Sequence, residues 1–301
     1  MSGWPEDFRA GFVAVVGRPN AGKSTLTNAL VGEKIAIMSD RPETTRRAIR
    51  GVVHREEGQL VLVDTPGLHR PRTLLGKRLN EMVHESLDDV DAVLVCLPAD
   101  ERIGPGDRFV TELALAARAP VIAAVTKTDR VRPGELLEKL QAVSELADFA
   151  EIVPVAALRG VQVQDLVDIL LAQMPLSPPL YPRDQTTDES DETRIAELIR
   201  EAALEGVRDE LPHSIAVTID EFQERQTKSG DLLAIYASVV VERDSQKGIV
   251  IGRKGERLKT VGTRARREIE GLLGRRVFLD LHVKVLQDWQ KDPKQLGRLG
   301  F

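Results

Sequence analysis

Eight consecutive residues, Gly17-Arg18-Pro19-Asn20-Ala21-Gly22-Lys23-Ser24, constrain the first half of this 301-residue chain more than any other feature. They satisfy G-x-x-x-x-G-K-[ST], and their flanks have matching character. Phe12-Val13-Ala14-Val15-Val16 before them is a β-branched apolar run of the kind found in buried parallel strands. After them, Thr25 leads into Leu26, Ala29 and Leu30 at helical spacing, with Gly32 as a stop. Strand, glycine loop and helix together form a phosphate cradle, in which backbone N–H groups and the helix N-terminus converge on an anion. Lys23 is placed to reach β- and γ-phosphates and the Ser24 hydroxyl to ligate Mg²⁺. The pattern implies a bound nucleoside triphosphate.

Asp64-Thr65-Pro66-Gly67 ends a second apolar run, Leu60-Val61-Leu62-Val63, forty residues beyond Ser24. An aspartate there is expected to hold Mg²⁺ through water, with the Gly67 N–H meeting the γ-phosphate. Between the two motifs lies Glu43-Thr44-Thr45-Arg46-Arg47, which has no apolar period. One threonine hydroxyl, preferentially Thr45, is expected to complete the Mg²⁺ shell; the alternative is a pair of plain loop threonines. Thr126-Lys127-Thr128-Asp129 ends a later strand, Val121-Ile122-Ala123-Ala124-Val125. The Asp129 carboxylate can accept hydrogen bonds from guanine N1 and N2, and a site built on such a pair rejects bases that leave it unpaired.

These elements, in this order, resemble those of translation-factor-type GTPases. Three positions depart from the pattern. Thr126 stands where asparagine is usual, Ala156-Ala157 replaces a serine-alanine pair, and Leu68 occupies the place of the catalytic glutamine of Ras-like enzymes. Ala157 can still offer its backbone N–H to the base. Without the glutamine, phosphoryl transfer to water is expected to be slow. The resemblance suggests that Asn20 helps to coordinate a K⁺ ion, as in related GTPases lacking that glutamine. Arg46 or Arg47 acting as a finger in cis is the alternative, weighed against solvated switch arginines, which are preferred. The expected catalytic set is therefore Lys23, Asn20, Thr45 and Gly67, with switch segments over 41–47 and 67–72.

Strand and helix patterns alternate to about residue 173, which predicts a mostly parallel sheet covered on both faces over 1–175. Pro175, Pro178, Pro179 and Pro182, followed by a polar run without periodicity, predict a linker over 176–191. From 192 to 301 the rhythm changes to α-β-β-α-α-β, a small α+β domain. Net charge is −5, yet Lys247 to Arg276 holds ten Lys and Arg against three Glu, a local +7. The remaining 271 residues carry −12. Such concentration points to one surface made for a polyanion.

That basic segment contains Ile251-Gly252-Arg253-Lys254-Gly255, a G-x-x-G between two predicted helices. Glycines there let backbone approach a nucleic-acid strand while Arg253 and Lys254 contact phosphates, the way a KH domain clamps about four nucleotides. Lys259, Arg264 and Arg267, with Arg257 and Arg266, add positive charge on the following helix. The bland alternative is a helical hairpin whose basic face is merely solvated.

Taken together, the loop with Pro19-Asn20, the run Asp64-Thr65-Pro66-Gly67-Leu68-His69, and Val250-Ile251-Gly252 leading into Gly255 resemble the Era family of bacterial GTPases. The resemblance runs from Gly11 to the C-terminal Phe301. It implies an α/β P-loop GTPase domain followed by a type II KH domain, with GTP/GDP, Mg²⁺ and K⁺ as ligands. It further implies 16S ribosomal RNA near its 3′ end and the 30S subunit as partners, no DNA, and peripheral association with the inner face of the membrane. The residues by themselves support only RNA or single-stranded nucleic acid. Two rival readings follow the same motifs: a regulatory GTPase whose KH-like domain docks protein or membrane partners, and an ATP-specific site on the same fold.

Other features are quieter. Residues 1–10 lack the apolar core of a signal peptide, and no apolar run approaches 18 residues. The single cysteine, Cys96, sits within Ala92-Val93-Leu94-Val95-Cys96-Leu97 and reads as a buried strand residue. Histidines 54, 69, 84, 213 and 282 show no metal-ligand spacing. The expected compartment is the cytoplasm.

Overall fold

The computed structural model describes residues 4–39, 44–68, 73–207, 214–227 and 230–299. The chain divides into two compact units, the first consisting mainly of residues up to Asp188 and the second mainly of Glu189–Phe301.

In the first unit, β1 (Arg9–Val16), α1 (Lys23–Val31), β2 (Ile49–His54), β3 (Gly58–Asp64), α2 (Leu74–Asp88) and β4 (Ala92–Pro98) come first. They are followed by α3 (Pro105–Leu115), β5 (Val121–Thr126), α4 (Pro133–Ser144), β6 (Glu151–Pro154) and α5 (Val163–Gln173). The sheet runs β2-β3-β1-β4-β5-β6, and only β2 is antiparallel to its neighbour. Period-two alternation divides β1 between two cores. Val13 and Val15 pack with Leu26 and Leu30 of α1 and Val167 and Leu170 of α5. Ala14 and Val16 join Val83 of α2, Val110 of α3 and Val143 of α4 on the other face. Both faces are covered, as the continuous apolar strands require. Cys96 is enclosed within β4, and burial pushes its thiol up to about 12, which leaves it inert.

Pro105 opens the first turn of α3, and Asp107 reaches back to accept the Gly104 N–H at 2.9 Å.

The segment expected as a linker over 176–191 is different in kind. Its residues up to Asp188 belong to the first unit. The cause lies in Gln59, which is 1% exposed. Its Oε1 accepts the N–H groups of Leu180 (2.7 Å) and Tyr181 (2.9 Å), and its Nε2 donates to the Tyr181 carbonyl (2.9 Å). Further along, His54 Nε2 donates to Gln185 O at 2.8 Å and Val52 N–H to Thr186 O at 2.8 Å. The Thr187 hydroxyl donates to Arg50 O, and Arg50 pairs with Asp188 at 3.0 Å. Prolines keep this strap extended and side chains fasten it along β2.

The second unit comprises α6 (Asp191–Leu204), β7 (Ala216–Thr227), β8 (Gly230–Val241), α7 (Asp244–Ile251), α8 (Glu256–Leu273), β9 (Val277–Val285) and α9 (Pro293–Arg298). Through α7, α8 and β9 it follows the expected order. Central β8 is antiparallel to β7 and parallel to β9. Ile195 and Ile199 of α6 meet Ile235, Ala237 and Val239 of β8 and Val261, Ala265 and Ile269 of α8 in one core. The terminal α9 was not expected from the sequence, although Asp292-Pro293 signals it. Asp292 caps the helix by accepting the Lys294 N–H at 2.8 Å, and Pro293 takes its first turn.

Replacing Gln59 with Ala leaves two strap N–H groups without their acceptor and is expected to cost about 1–3 kcal/mol. Denaturant unfolding measures that loss, and limited proteolysis is expected to move to cleavage within 176–188.

Candidate functional site

At the C-terminal end of β1 the chain turns through the phosphate loop into α1. Gly22 sits at the N-cap without a capping side chain, so the first-turn N–H groups of α1 are not met by a cap. Lys23 is 6% exposed and its ammonium rests on the carbonyls of Gly17 (3.3 Å) and Arg18 (3.2 Å). Burial holds its pKa below the ordinary lysine value, against the attraction of Asp64. A phosphate arriving here would offset that burial and favour the charged amine.

Asp64 ends β3 at 0% exposure, and neither carboxylate oxygen accepts a regular hydrogen bond from the protein. Burial pushes its pKa up to about 6, opposed by the Lys23 charge and then by the Ser24 hydroxyl. Ser24 Oγ lies 2.8 Å from Thr45 Oγ1, with Thr45 itself 6% exposed. Two hydroxyls and an unsatisfied carboxylate therefore meet at the first turn of α1. This all-oxygen set fits a hard divalent cation whose remaining positions belong to phosphate and water. Of the threonine pair, Thr45 is the one brought to Ser24.

The remainder of the Asp64 motif packs directly on the loop. Thr65 donates its hydroxyl to Val15 O at 2.8 Å, and the Leu68 N–H reaches Gly17 O at 3.3 Å. A Cβ at position 67 would stand 2.7 Å from Pro19 N, so only glycine permits this approach. Leu68 is 2% exposed within the core and cannot orient a water as glutamine would. Asn20 is exposed at the loop tip with φ 63.

The base motif is tied to the same loop. Thr126 Oγ1 donates to Ala21 O at 2.6 Å, fully enclosed. This side chain braces the phosphate loop, which accounts for the unusual threonine. Thr128 N–H reaches Val155 O at 3.3 Å, which sets Asp129 beside Ala156 and Ala157. The Ala156 N–H is engaged by Val161 O, so Ala157 is the donor candidate of that pair. Asp129 stands 3.7 Å from Arg159, and Lys127 lies 3.7 Å from Asp100.

One expectation needs correction, and the side chain of one loop residue lies away from the cradle. Arg18 does not turn toward the loop's anion cradle; its guanidinium pairs with Asp107 (2.9 Å) and Glu101 (2.6 Å). Arg46, expected as a solvated switch arginine, is 2% exposed and engaged with partners of its own. Residues 41–43 and 69–72 of the expected switches lie outside the described residues.

In the second unit, α7 ends at Gly252 with φ 72, and a Cβ there would meet Arg257 Cβ at 2.6 Å. Glycine is therefore required on both counts. Arg253 and Lys254 stand exposed on the turn that follows, and Ile251 is half-buried behind them. Lys259, Thr263 and Arg267 share one stripe of α8 and, with Arg264, line a groove of about 440 Å³. Arg257 is not part of this surface charge. Its guanidinium donates to Ala203 O (3.1 Å) and Glu205 O (2.8 Å), closing the end of α6. Arg264 pairs with Glu205 and Arg275 with Glu224, so the local +7 is partly neutralised.

Comparison with known proteins agrees with both halves. A family described as 50S ribosome-binding GTPase matches residues 12–127, and the KH domain family matches 210–290. GTPase Era of Mycolicibacterium paratuberculosis is 60% identical over 298 residues, covering 98% of this chain and 99% of that protein. GTPase Era of Mycolicibacterium smegmatis is 59% identical with the same coverage. Among solved structures, Era in complex with MgGDPNP and nucleotides 1506–1542 of 16S ribosomal RNA matches with a TM-score of 0.92 at 37% identity. That match covers 97% of this chain and 99% of the other. An Aquifex aeolicus Era variant bound to GDP and AlF4⁻ matches with a TM-score of 0.91, also at 37% identity and the same coverage.

The folded pKa of Asp64, about 6, lies above its unfolded value near 3.8, so the ionised group opposes folding at neutral pH and that opposition fades as pH falls through 6. In nucleotide-free protein, Asp64→Asn is expected to stabilise by on the order of 2 kcal/mol at pH 8. Melting curves are expected to show the difference shrinking as pH falls below about 6 and closing near the unfolded value of 3.8. Binding of the Mg²⁺-nucleotide, which needs the carboxylate, is expected to weaken below pH 6 in the unsubstituted chain.

Proposed function

Because the chain belongs to the Era family of GTPases, we propose that this GTP-binding and GTP-hydrolysing protein is a switch acting on RNA. Its second unit holds single-stranded RNA near the 3′ end of 16S ribosomal RNA during maturation of the 30S subunit. The observation that carries the nucleotide half is the Ser24–Thr45 hydroxyl pair beside the unsatisfied Asp64 carboxylate. Mg²⁺ held there supplies charge neutralisation for phosphoryl transfer. Lys23 binds the β- and γ-phosphates, the N–H groups of residues 20–25 cradle them, and the Gly67 N–H meets the γ-phosphate. Asp129 reads guanine with Thr128 and Ala157 beside it. Hydrolysis is Mg²⁺-dependent and intrinsically slow, since Leu68 cannot position the attacking water, and Asn20 recruits K⁺ to supply the missing positive charge.

The RNA half rests on the exposed Arg253 and Lys254 at the Gly252–Gly255 turn and on Lys259 and Arg267 along α8, with the Glu205-paired Arg264 beside them. The solved Era complex with 16S ribosomal RNA supports the small ribosomal subunit over the large one named for the broader GTPase group. We assign the protein to the cytoplasm. Among the described residues, no helix is long and apolar enough to cross a membrane. Peripheral contact with the inner membrane surface rests on family resemblance alone.

Turnover of GTP by the full chain is expected to be several-fold faster in KCl than in NaCl, and equal rates would remove the role given to Asn20. Asp129→Asn is expected to abolish the preference for GTP over ATP in competition binding. For RNA, the affinity of the full chain for a 16S 3′-end oligonucleotide is expected to fall with salt. Gly252→Asp, or charge reversal at Arg253 and Lys254, is expected to weaken it at least about tenfold. Binding that survives both changes would favour a protein-docking role for the second unit.

A further inference from the structure

Arg18 is the second residue of the phosphate loop, and its side chain is turned toward the first turn of α3. Its Nε donates to Asp107 Oδ1 at 2.9 Å and its Nη2 to Glu101 Oε2 at 2.6 Å. This is no ordinary surface pair, because Asp107 is 2% exposed and the Arg18 side chain 21%. Asp107 is fully engaged as well, since its other oxygen accepts the Gly104 N–H at 2.9 Å and caps α3. One buried carboxylate thus joins the phosphate loop to the first turn of α3. The Arg18 stem packs there, within 3.8–3.9 Å of where a Cβ on Gly106 would stand.

The backbone of the same residue does the shaping. Arg18 O accepts the Ala21 N–H (3.2 Å), which closes the turn, and the Lys23 ammonium (3.2 Å). Glu101 extends the network. Its carbonyl accepts from Lys139 at 2.8 Å, and its carboxylate stands 3.8 Å from Lys127, two residues before Asp129. The partners of the Arg18 side chain, Asp107 and Glu101, lie outside the phosphate loop, as do Lys127 and Lys139 beyond them. A planar guanidinium can bridge two carboxylates from different elements; an ammonium makes a less directional link.

We propose that the Arg18 side chain is a positioning residue for nucleotide binding, which fixes the loop carbonyl that holds Lys23 by anchoring to Asp107 and Glu101. It makes no contact with the nucleotide. The loop is thereby held in its receptive shape before a phosphate arrives, and the cost of ordering it is removed from the binding step. This rests on the loop binding guanine nucleotide, as proposed above.

The test uses the full chain, with dissociation constants for GDP and a non-hydrolysable GTP analogue, kcat and KM for GTP, and melting temperature. Arg18→Ala is expected to weaken GDP and the analogue alike by about tenfold while kcat changes less than about twofold. Asp107→Asn keeps an acceptor for Gly104 and is expected to show the same loss. The double variant is expected to be no worse than either single one, and Arg18→Lys to recover part of the affinity. Affinities of Arg18→Ala within about twofold of the unsubstituted chain would overturn the proposal. So would a loss confined to the GTP analogue, which would put Arg18 on the γ-phosphate, or additive losses in the double variant. Failure of the unsubstituted chain to bind either nucleotide would instead remove the reading of the site itself.

Discussion

The Asp64 carboxylate is completely enclosed and accepts no regular hydrogen bond from the protein, and the first unit is arranged around that deficit. A buried charge without partners is among the most costly features a fold can carry. It is held in place by three different elements of the fold. β3 delivers the carboxylate, α1 delivers Ser24, and the segment entering β2 delivers Thr45. The three side chains bring their oxygens together at the first turn of α1. Such an arrangement is unfavourable for the chain alone and favourable once a cation and a phosphate enter, which makes it a site rather than a defect.

The site was legible in the sequence wherever a backbone conformation dictates residue type at fixed spacing. The phosphate loop and Asp64-Thr65-Pro66-Gly67 are of this kind, because close backbone approach leaves few residues to choose from; Gly67 against Pro19 is the clearest case. The alternation of apolar strands and amphipathic helices was legible for the same reason. What escaped was decided by the far ends of long side chains. Arg18 meets Asp107 across 89 residues and Thr126 meets Ala21 across 105, and no local spacing encodes either pairing. Arg46 and Arg257 were misjudged in the same way. A guanidinium looks alike in sequence whether it faces solvent, a carboxylate, or a helix end. By contrast α9 did carry a local signal in Asp292-Pro293, and that signal was overlooked.

The second unit illustrates a related point about charge. Ten cations within thirty residues describe a composition, whereas the surface is what remains after folding. Arg257 closes α6, and Arg264 and Arg275 are paired with glutamates. The cations left outward are concentrated at the glycine turn and along one stripe of α8. Folding therefore sharpens the basic region, converting a diffuse excess into a narrow track beside a backbone that can be approached closely.

The strap over 176–188 has a practical bearing on how this protein can be divided. β2 is the outer strand of its sheet, and the Gly51–Val52 backbone meets the strap through the Thr187 bridge and the Thr186 carbonyl. A fragment cut at residue 175, where sequence alone would end the domain, exposes that row of amide and carbonyl groups. An open outer strand templates pairing with other chains, so such a fragment invites aggregation. Ending it after Asp188 keeps the β2 edge covered.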